Sequence, residues 1–304
     1  MDRGLSNGLV LVMVFDVLSA AQSVWLGRLL QGVAVEHSLL AIFSLVAGFF
    51  LLITLYRRDP WPTLTVRNAL LFVGLNVGTL ATWLFLYQSL QFIEPAMTAA
   101  VLYGVNPIAT LLLGLLLAGS LQGLTKGRVL VGMATLASMW LVAHTVLQGN
   151  SSLGTQQGDS GPYGLAMAVL TGCAMASVNL ISKRIYEQGY QLHQLMSMRF
   201  FLLILVCVFH ANGFEQSVRD NGEAFLMIAV LGNIVPLYFL QKGISRSEPS
   251  HVAYVLLLTP ILVFAFQLFD HRLHLSPYSI LAILVVLGFA VLGLKTEQNA
   301  TRNS

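Results

Sequence analysis

The chain has 304 residues, of which 56% are hydrophobic and only 10% are charged, and its formal net charge is +3. A water-soluble protein of this length needs a more charged surface, so the composition excludes an ordinary soluble domain. Because about 20 apolar residues cross a bilayer as a helix, and lipid offers no partner for free backbone groups, the long apolar runs are predicted to be transmembrane helices.

Ten such helices are predicted, five in each half of the chain. In chain order they cover residues 5–27, 38–56, 67–92, 95–118 and 127–147, and then residues 163–186, 191–211, 222–244, 249–269 and 277–294. The corresponding organisation is a first repeat at 1–147, an extracytoplasmic linker at 148–162, a second repeat at 163–295 and a cytoplasmic tail at 296–304. The predicted fold class is therefore an all-α integral membrane protein.

The basic residues predict the orientation, because cytoplasmic loops are enriched in Lys and Arg. With the N-terminus inside, twelve of the sixteen basic residues fall on the inner side and three on the outer side. The remaining one, Arg199, falls within a helix. Both termini are therefore predicted to be cytoplasmic. Short loops and the lack of an organellar signal favour a bacterial inner membrane.

Two segments of the chain resemble each other, one at residues 85–107 and the other at 239–260. Phe85, Leu86, Ser89, Leu90, Glu94, Pro95 and Pro107 correspond to Phe239, Leu240, Gly243, Ile244, Glu248, Pro249 and Pro260. Because five helices precede the second repeat, the two copies are predicted to lie on opposite sides of the membrane. Such inverted five-helix repeats are typical of secondary transporters.

The second half also carries short motifs with a wider resemblance. They are Gly164-Leu165-Ala166, Ser182-Lys183-Arg184, Met198-Arg199-Phe200-Phe201, Glu248-Pro249 and Thr259-Pro260. With these motifs the chain resembles the EamA-type permeases of the drug/metabolite transporter (DMT) superfamily. The resemblance is weaker in the first half, where Phe43 or Ser44 stands at the place of Arg199. It implies a ten-helix bundle around a central cavity, lined mainly by the third, fourth, eighth and ninth helices.

Polar and aromatic residues at helical spacing are the candidates for the cavity lining. On the third predicted helix, Asn76, Trp83 and Tyr87 lie on one face. Polar groups on this face would be unfavourable in contact with lipid, so the face is expected to point into the protein. The full set of substrate-binding candidates is Asn76, Trp83, Tyr87, Tyr103, Asn106, Asn233, Tyr238 and Tyr254. The alternative is that these groups form hydrogen bonds between helices and never meet a substrate.

Three prolines, Pro107, Pro236 and Pro260, lie well inside predicted helices. A proline removes one backbone hydrogen bond and kinks the helix, which provides a hinge or frees a carbonyl toward a cavity. We interpret these three residues as hinge candidates. The alternative is the general tolerance of transmembrane helices for proline.

Asp16 and Arg199 are charged residues at similar predicted depth within the membrane, where a charge costs at least about 2.5 kcal/mol. One hypothesis is that Asp16 carries a coupling proton and releases it when Arg199 approaches. A second is that Arg199 binds a carboxylate or phosphate of the substrate. The alternatives are a static ion pair, or an Arg199 side chain that extends to the inner headgroups.

Three functions remain open at this point. The leading one, by resemblance, is a secondary active transporter that exports amino-acid-like or other amphipathic solutes, with proton coupling as an option. The second is a nucleotide-sugar or organic-phosphate exchanger, and the third is a polytopic membrane enzyme or sensor. Asp270, His271 and His274 have a spacing that could hold a metal, but a solvated loop is preferred. No metal, cofactor or nucleic-acid partner is predicted; the expected partners are a small-molecule substrate, the bilayer and a second copy of the chain.

Overall fold

The computed structural model describes residues 3–63, 65–118, 137, 139–148, 160–270, 277–278, 280–285, 288–289 and 292. The regular secondary structure of these residues is helical, and no β-strand occurs among them. The predicted all-α class is confirmed. Most of the predicted linker and the whole predicted tail lie outside the described residues.

The first half contains four long, uninterrupted helices. They are α1 (Arg3–Leu29), α2 (Val35–Arg57), α3 (Val66–Phe92) and α4 (Pro95–Ala118). Their ends agree with the predicted ones to within a few residues. Local chemistry explains two of the starts: Thr65 Oγ1 accepts the Asn68 N–H at 3.2 Å, and Pro95 begins α4 where no N–H donor is needed. Residues 139–147 are also helical.

The second half begins with one long helix and continues in shorter pieces. The elements are α5 (Gly161–Glu187), α6 (Leu192–Met198), α7 (Phe201–His210), α8 (Phe214–Met227), a π-helix (Ile228–Ile234), α9 (Val235–Arg246), α10 (Pro249–Leu256) and α11 (Thr259–Gln267). The predicted helix at 191–211 is thus broken at Arg199 and Phe200. The predicted helix at 249–269 is broken at Leu257 and Leu258.

Pro260 contributes to the break between α10 and α11. A proline ring clashes with the carbonyl four residues earlier and cannot donate a hydrogen bond to it. For Pro260 that carbonyl belongs to Leu256, the residue at which α10 ends, and Pro260 is then the second residue of α11. Pro236 has the same relation to Gly232, which lies in the π-helix, so the wider turns there accommodate the proline.

Seven helical segments in the described part of the chain are long and apolar enough to cross a membrane. They are Gly8–Leu29, Val35–Arg57, Val66–Phe92, Pro95–Leu116, Gly161–Glu187, Leu192–His210 and Phe214–Arg246. The ninth predicted helix is divided in two, and the fifth and tenth lie partly outside the described residues. The number ten and the inverted arrangement therefore stay predictions.

Helix α5 packs closely against both α3 and α4, and small residues make this possible. A Cβ placed on Gly172 would lie only 2.5 Å from the carbonyl oxygen of Leu102, and one on Gly78 would lie 2.9 Å from Val178 Cγ2. On the other side of the bundle α1 packs against α9, where a Cβ on Gly243 would lie 2.5 Å from Val12 Cγ2. These close approaches bring helices of both halves around one central space.

Candidate functional site

A cavity lies in the middle of the bundle, between α1, α3, α4, α5, α9 and the break that precedes α7. The residues that line it are Phe15, Ser19, Gln22, Ser23, Leu26, Thr82, Trp83, Leu86, Leu90, Pro95, Thr98, Ala99, Leu102, Tyr103, Thr171, Met175, Val178, Asn179, Arg199, Leu237, Leu240 and Gln241. Its volume is about 60 Å³. Since one water needs about 10–15 Å³ by the same measure, the cavity as it stands has room for a few waters.

The lining is mainly apolar, with a few polar groups at defined places. Among the described residues that line it, Arg199 is the single one with a charged side chain. A concave, mostly apolar space with a small number of convergent polar groups is typical of a small-molecule site. The candidate site is therefore this cavity.

An aromatic cluster forms the wall of the cavity on the side of α2. The ring of Trp83, which lines the cavity, lies 4.6 Å from that of Phe43, and Phe43 stacks on Phe200 at 5.1 Å. Tyr87 packs against Trp83 at 6.2 Å and is fully buried behind it. These tightly packed rings give the cavity a rigid boundary.

Arg199 lies at the break between α6 and α7 and is 3% exposed. Its Nε donates to Thr79 Oγ1 at 3.3 Å, and its guanidinium carbon lies 5.2 Å from the centre of the Phe200 ring. The salt bridges among the described residues do not include Arg199. The guanidinium is therefore held by neutral groups while it faces the cavity.

Asn76, on the neighbouring helix α3, forms hydrogen bonds to the backbone at the break between α6 and α7. Its Nδ2 donates to the Met198 carbonyl at 2.8 Å, and its Oδ1 accepts the Leu202 N–H at 3.2 Å. A third bond runs from Nδ2 to the Phe72 carbonyl at 3.0 Å. The amide replaces the backbone partners that the interrupted helix loses. Asn76, a cavity candidate, is thus engaged in holding the backbone next to Arg199.

Asp16 lies on α1 beside the cavity and is 1% exposed. Its Oδ1 accepts a hydrogen bond from Thr259 Oγ1 at 2.8 Å, whereas its Oδ2 has no hydrogen-bond partner among the described residues. The Tyr103 hydroxyl, which lines the cavity together with Ser19, lies next to this carboxyl group. Asp16 and Arg199 do not form an ion pair in this structure.

The other substrate-binding candidates are distributed differently. Trp83 and Tyr103 line the cavity, whereas Tyr87 lies behind Trp83. Asn106 is fully buried in α4 and accepts a hydrogen bond from Thr110 at 3.3 Å. The structure therefore brings two of these four residues, Trp83 and Tyr103, to the cavity surface.

The candidates of the eighth and ninth predicted helices do not line this cavity. Asn233 Nδ2 donates to the Ile228 carbonyl at 3.0 Å inside the π-helix. Tyr238 is 45% exposed at the surface of the bundle. The extra residue per turn in a π-helix rotates the residues that follow it, so a count at 3.6 residues per turn misplaces Tyr238. Tyr254 lies on α10, and its side chain is outside the described part of the structure.

The three hinge candidates occupy three different settings. Pro107 lies within the continuous helix α4, Pro236 directly follows the π-helix, and Pro260 follows the break after α10. Two of the three prolines therefore coincide with irregular backbone.

Several lining residues had not been singled out as cavity candidates from the sequence. The polar ones are Ser19, Gln22, Ser23, Thr82, Thr98, Thr171, Asn179 and Gln241. Gln22 and Gln241 carried a signal that could have found them, since an amide side chain inside an apolar run needs a polar neighbour. Gln22 also lies against Gly232 of the π-helix, where a Cβ would be 2.6 Å from Gln22 Cγ. Residues His271 and His274, of the loop considered for a metal, lie outside the described residues.

Comparisons with known proteins bear on the family and the fold. Residues 162–294 match the EamA-like transporter family, and this segment coincides with the second predicted repeat. No curated protein matches the chain. A crystal structure of another protein is similar over 97% of this chain and 99% of that one, with a TM-score of 0.63 and 15% sequence identity. At this identity the likeness concerns the fold alone.

Proposed function

We propose that this chain is a secondary active transporter working by alternating access, because its residues 162–294 match the EamA-like transporter family. In this proposal two inverted five-helix halves, at 1–147 and 163–295, move against each other around the central cavity. The segment 148–162 joins them on the outer side, and 296–304 forms a cytoplasmic tail.

The main support for this proposal is that helices from both halves of the chain form the cavity wall. The wall combines α1, α3 and α4 from the first half with α5, α9 and Arg199 from the second half. Relative movement of the halves would therefore widen or close the same space. A volume of about 60 Å³ is too small for an amino acid, so the described state corresponds to a contracted cavity.

The proposed substrate is a small amphipathic metabolite, with an amino-acid-like solute first. A largely apolar wall that includes Trp83 and Tyr103 suits a partly apolar molecule. A nucleotide sugar or organic phosphate is the second candidate, but its charge calls for more cations than the single Arg199 among the described lining residues. We propose export as the direction, by analogy with the family.

Asp16 is the proposed carrier of a coupling proton. It is a buried carboxyl group whose Oδ2 has no hydrogen-bond partner in the described part of the chain, and it lies beside Tyr103 at the cavity wall. A carboxyl group in such a place is able to hold a proton in one state of the cycle and lose it in another. Its bond to Thr259 links this event to α11, the helix that begins after the break.

The proposed location is a bacterial inner membrane, with both termini in the cytoplasm. The distribution of Lys and Arg along the sequence supports this orientation. Accessibility of single cysteines to an impermeant reagent, one near residue 120 and one near residue 155, tests it. Labelling of the second site alone from outside the cell is the expected result, and the reverse would overturn it.

Reconstitution of the purified protein into liposomes tests the transport proposal. Liposomes loaded with a panel of labelled amino acids, nucleotide sugars and organic phosphates are expected to release one class faster than protein-free liposomes. A proton gradient should increase this flux if coupling operates. Chemical turnover of a solute without flux would favour the membrane enzyme, and neither flux nor turnover would favour the sensor.

A further inference from the structure

Several residues of the cavity wall carry buried hydrogen-bond donors. Three of these groups have no hydrogen-bond partner among the described residues: Trp83 Nε1, Asn179 Nδ2 and Gln241 Nε2. All three residues line the cavity together with Arg199, and each is at most 9% exposed. We call these four residues the donor cluster.

The helix geometry places the four members close together. Arg199 donates to Thr79, which lies one turn before Trp83 on the same face of α3. Gln241 accepts a hydrogen bond from the Tyr186 hydroxyl at 2.8 Å, and Tyr186 in turn interacts with Arg199. Asn179 lies seven residues before Tyr186 on α5, so it shares that face of the helix. Three helices and the break before α7 thus each contribute a residue with hydrogen-bond donors to the cavity wall.

Leaving such groups without acceptors is costly, since each buried unpaired donor destabilises a protein by about 1–3 kcal/mol. The indole N–H and the guanidinium are donors only, so the need of Trp83 and Arg199 for an acceptor does not depend on how the two amides are oriented. An anion with several lone pairs is the group that satisfies such a set. A carboxylate offers about four lone-pair sites in one plane.

We propose that the donor cluster is the recognition site for a single carboxylate group of the transported molecule. This inference rests on the proposed transport function and narrows the substrate class to solutes with one free carboxylate at one end. A phosphate ester carries close to two negative charges at neutral pH. One guanidinium balances a carboxylate, but leaves most of a second charge unpaired in an apolar space.

Arg199 and Trp83 have distinct roles in this site. The guanidinium supplies the charge and is fixed by Thr79 and Phe200, so it is ordered before the substrate arrives. The indole supplies one N–H from a rigid ring that packs on Phe43. Both are therefore preorganised, and this favours selectivity for the carboxylate over a neutral amide.

Thermal unfolding of the purified full-length protein in detergent tests the site. The probes are L-leucine, L-methionine and L-phenylalanine, each compared with its own carboxamide, and inorganic phosphate. We expect at least one of the three acids to raise Tm by several degrees and its carboxamide at the same concentration to leave Tm unchanged. No rise with any of the three acids would overturn the proposal, as would equal rises with acid and carboxamide. A rise with phosphate and not with the acids would overturn it as well.

Variants locate the effect at the donor cluster. Trp83→Phe removes the N–H and keeps most of the ring, and we expect about tenfold weaker binding of the stabilising acid. Arg199→Gln is expected to weaken it about a hundredfold. Trp140→Phe, at a tryptophan that is 67% exposed, is the matched control and should leave the affinity unchanged. Unchanged affinity in Trp83→Phe would place the carboxylate elsewhere, even if the Arg199 variant fails to fold.

Flux is measured separately on the same preparations. The carboxylate site and the transport function can then be tested independently of each other. Flux of acids and carboxamides at equal rates would overturn the carboxylate site and leave the transporter proposal standing. Binding that depends on Trp83 and Arg199, without flux of any acid, would support the site and overturn the transporter proposal.

Discussion

Helix α4 and the pair α10 and α11 are related in sequence, each starting with Glu-Pro and each containing a later proline, yet their backbones differ. The first runs from Pro95 to Ala118 without interruption across Pro107. The second ends at Leu256 and restarts at Thr259, just before Pro260. A proline therefore does not by itself break a membrane helix: α4 continues through Pro107, whereas a break precedes Pro260.

The same contrast extends to the two halves. In the first half the four described long helices are continuous, whereas the second half has the break at Arg199, the π-helix and the break before α11. The cavity wall combines both kinds of element. We infer that the continuous helices form the fixed part of the transport cycle and the interrupted ones the moving part. The predictions below test this difference.

The largest expected effect is at the contact that holds α4 straight against α5. In Gly172→Val the new side chain would collide with the Leu102 carbonyl, which lies 2.5 Å from a Cβ at this position. Overpacking of this kind costs about 3 kcal/mol, so we expect a strongly lowered Tm or loss of the folded protein. Gly48→Ala is the control, because a Cβ there meets nothing within 4 Å. A Tm equal to that of the wild type in Gly172→Val would contradict the close approach.

The next effect concerns the amide that supports the break between α6 and α7. In Asn76→Leu the Met198 carbonyl and the Leu202 N–H lose their partner, which should cost roughly 2–3 kcal/mol of unfolding free energy. Detergent unfolding curves measure this. Asn221→Leu, which removes one amide that bonds the Ser217 carbonyl at 3.3 Å, is the control for adding a leucine. Equal effects of the two substitutions would show that Asn76 does not support the break.

Asp16→Asn separates proton coupling from substrate movement. The amide keeps the size of the group and an oxygen for Thr259, but it cannot carry a proton. If one proton moves with each solute, one pH unit drives about tenfold accumulation in the wild type, and none in the variant. Liposome uptake measured across a range of pH gradients tests this. Unchanged uptake with unchanged dependence on the gradient would remove Asp16 from the coupling scheme.

The smallest expected effect is the difference between substitutions at Pro260 and at Pro107. Pro260→Ala removes the clash with the Leu256 carbonyl, so α10 and α11 should approach one continuous helix, and transport should slow several-fold. Pro107→Ala changes a helix that is already continuous, and we expect little change in rate. Turnover in liposomes and amide hydrogen exchange around residue 257 measure both. Equal rates for the two variants would remove the functional difference between these helices.

Much of the fold follows from local sequence, because long apolar runs and helix-starting residues are short-range signals. The limits of α3 and α4 are predicted nearly to the residue for this reason. The break at Arg199 is not predicted from the sequence, since it is supported by Asn76, which lies 122 positions before its hydrogen-bond partner Met198. When a residue of one helix stabilises a break in another, the sequence of the broken helix does not reveal the break.

The site is less predictable than the fold. Trp83 and Tyr103 were identified because aromatic residues on one face of a helix are conspicuous, and both line the cavity. Gln241 and Asn179 were not among the cavity candidates, since their orientation depends on how α5 and α9 pack. Tyr238 was a candidate, but it follows the π-helix, which changes the face that it occupies.

Gly232 has a consequence for how this protein can be changed. It lies in the π-helix and does not line the cavity, yet any side chain there would displace Gln22, which does. A substitution at Gly232 would therefore reshape the proposed substrate cavity without altering a residue that lines it. In a laboratory evolution experiment, position 232 is where altered selectivity should arise from outside the binding site.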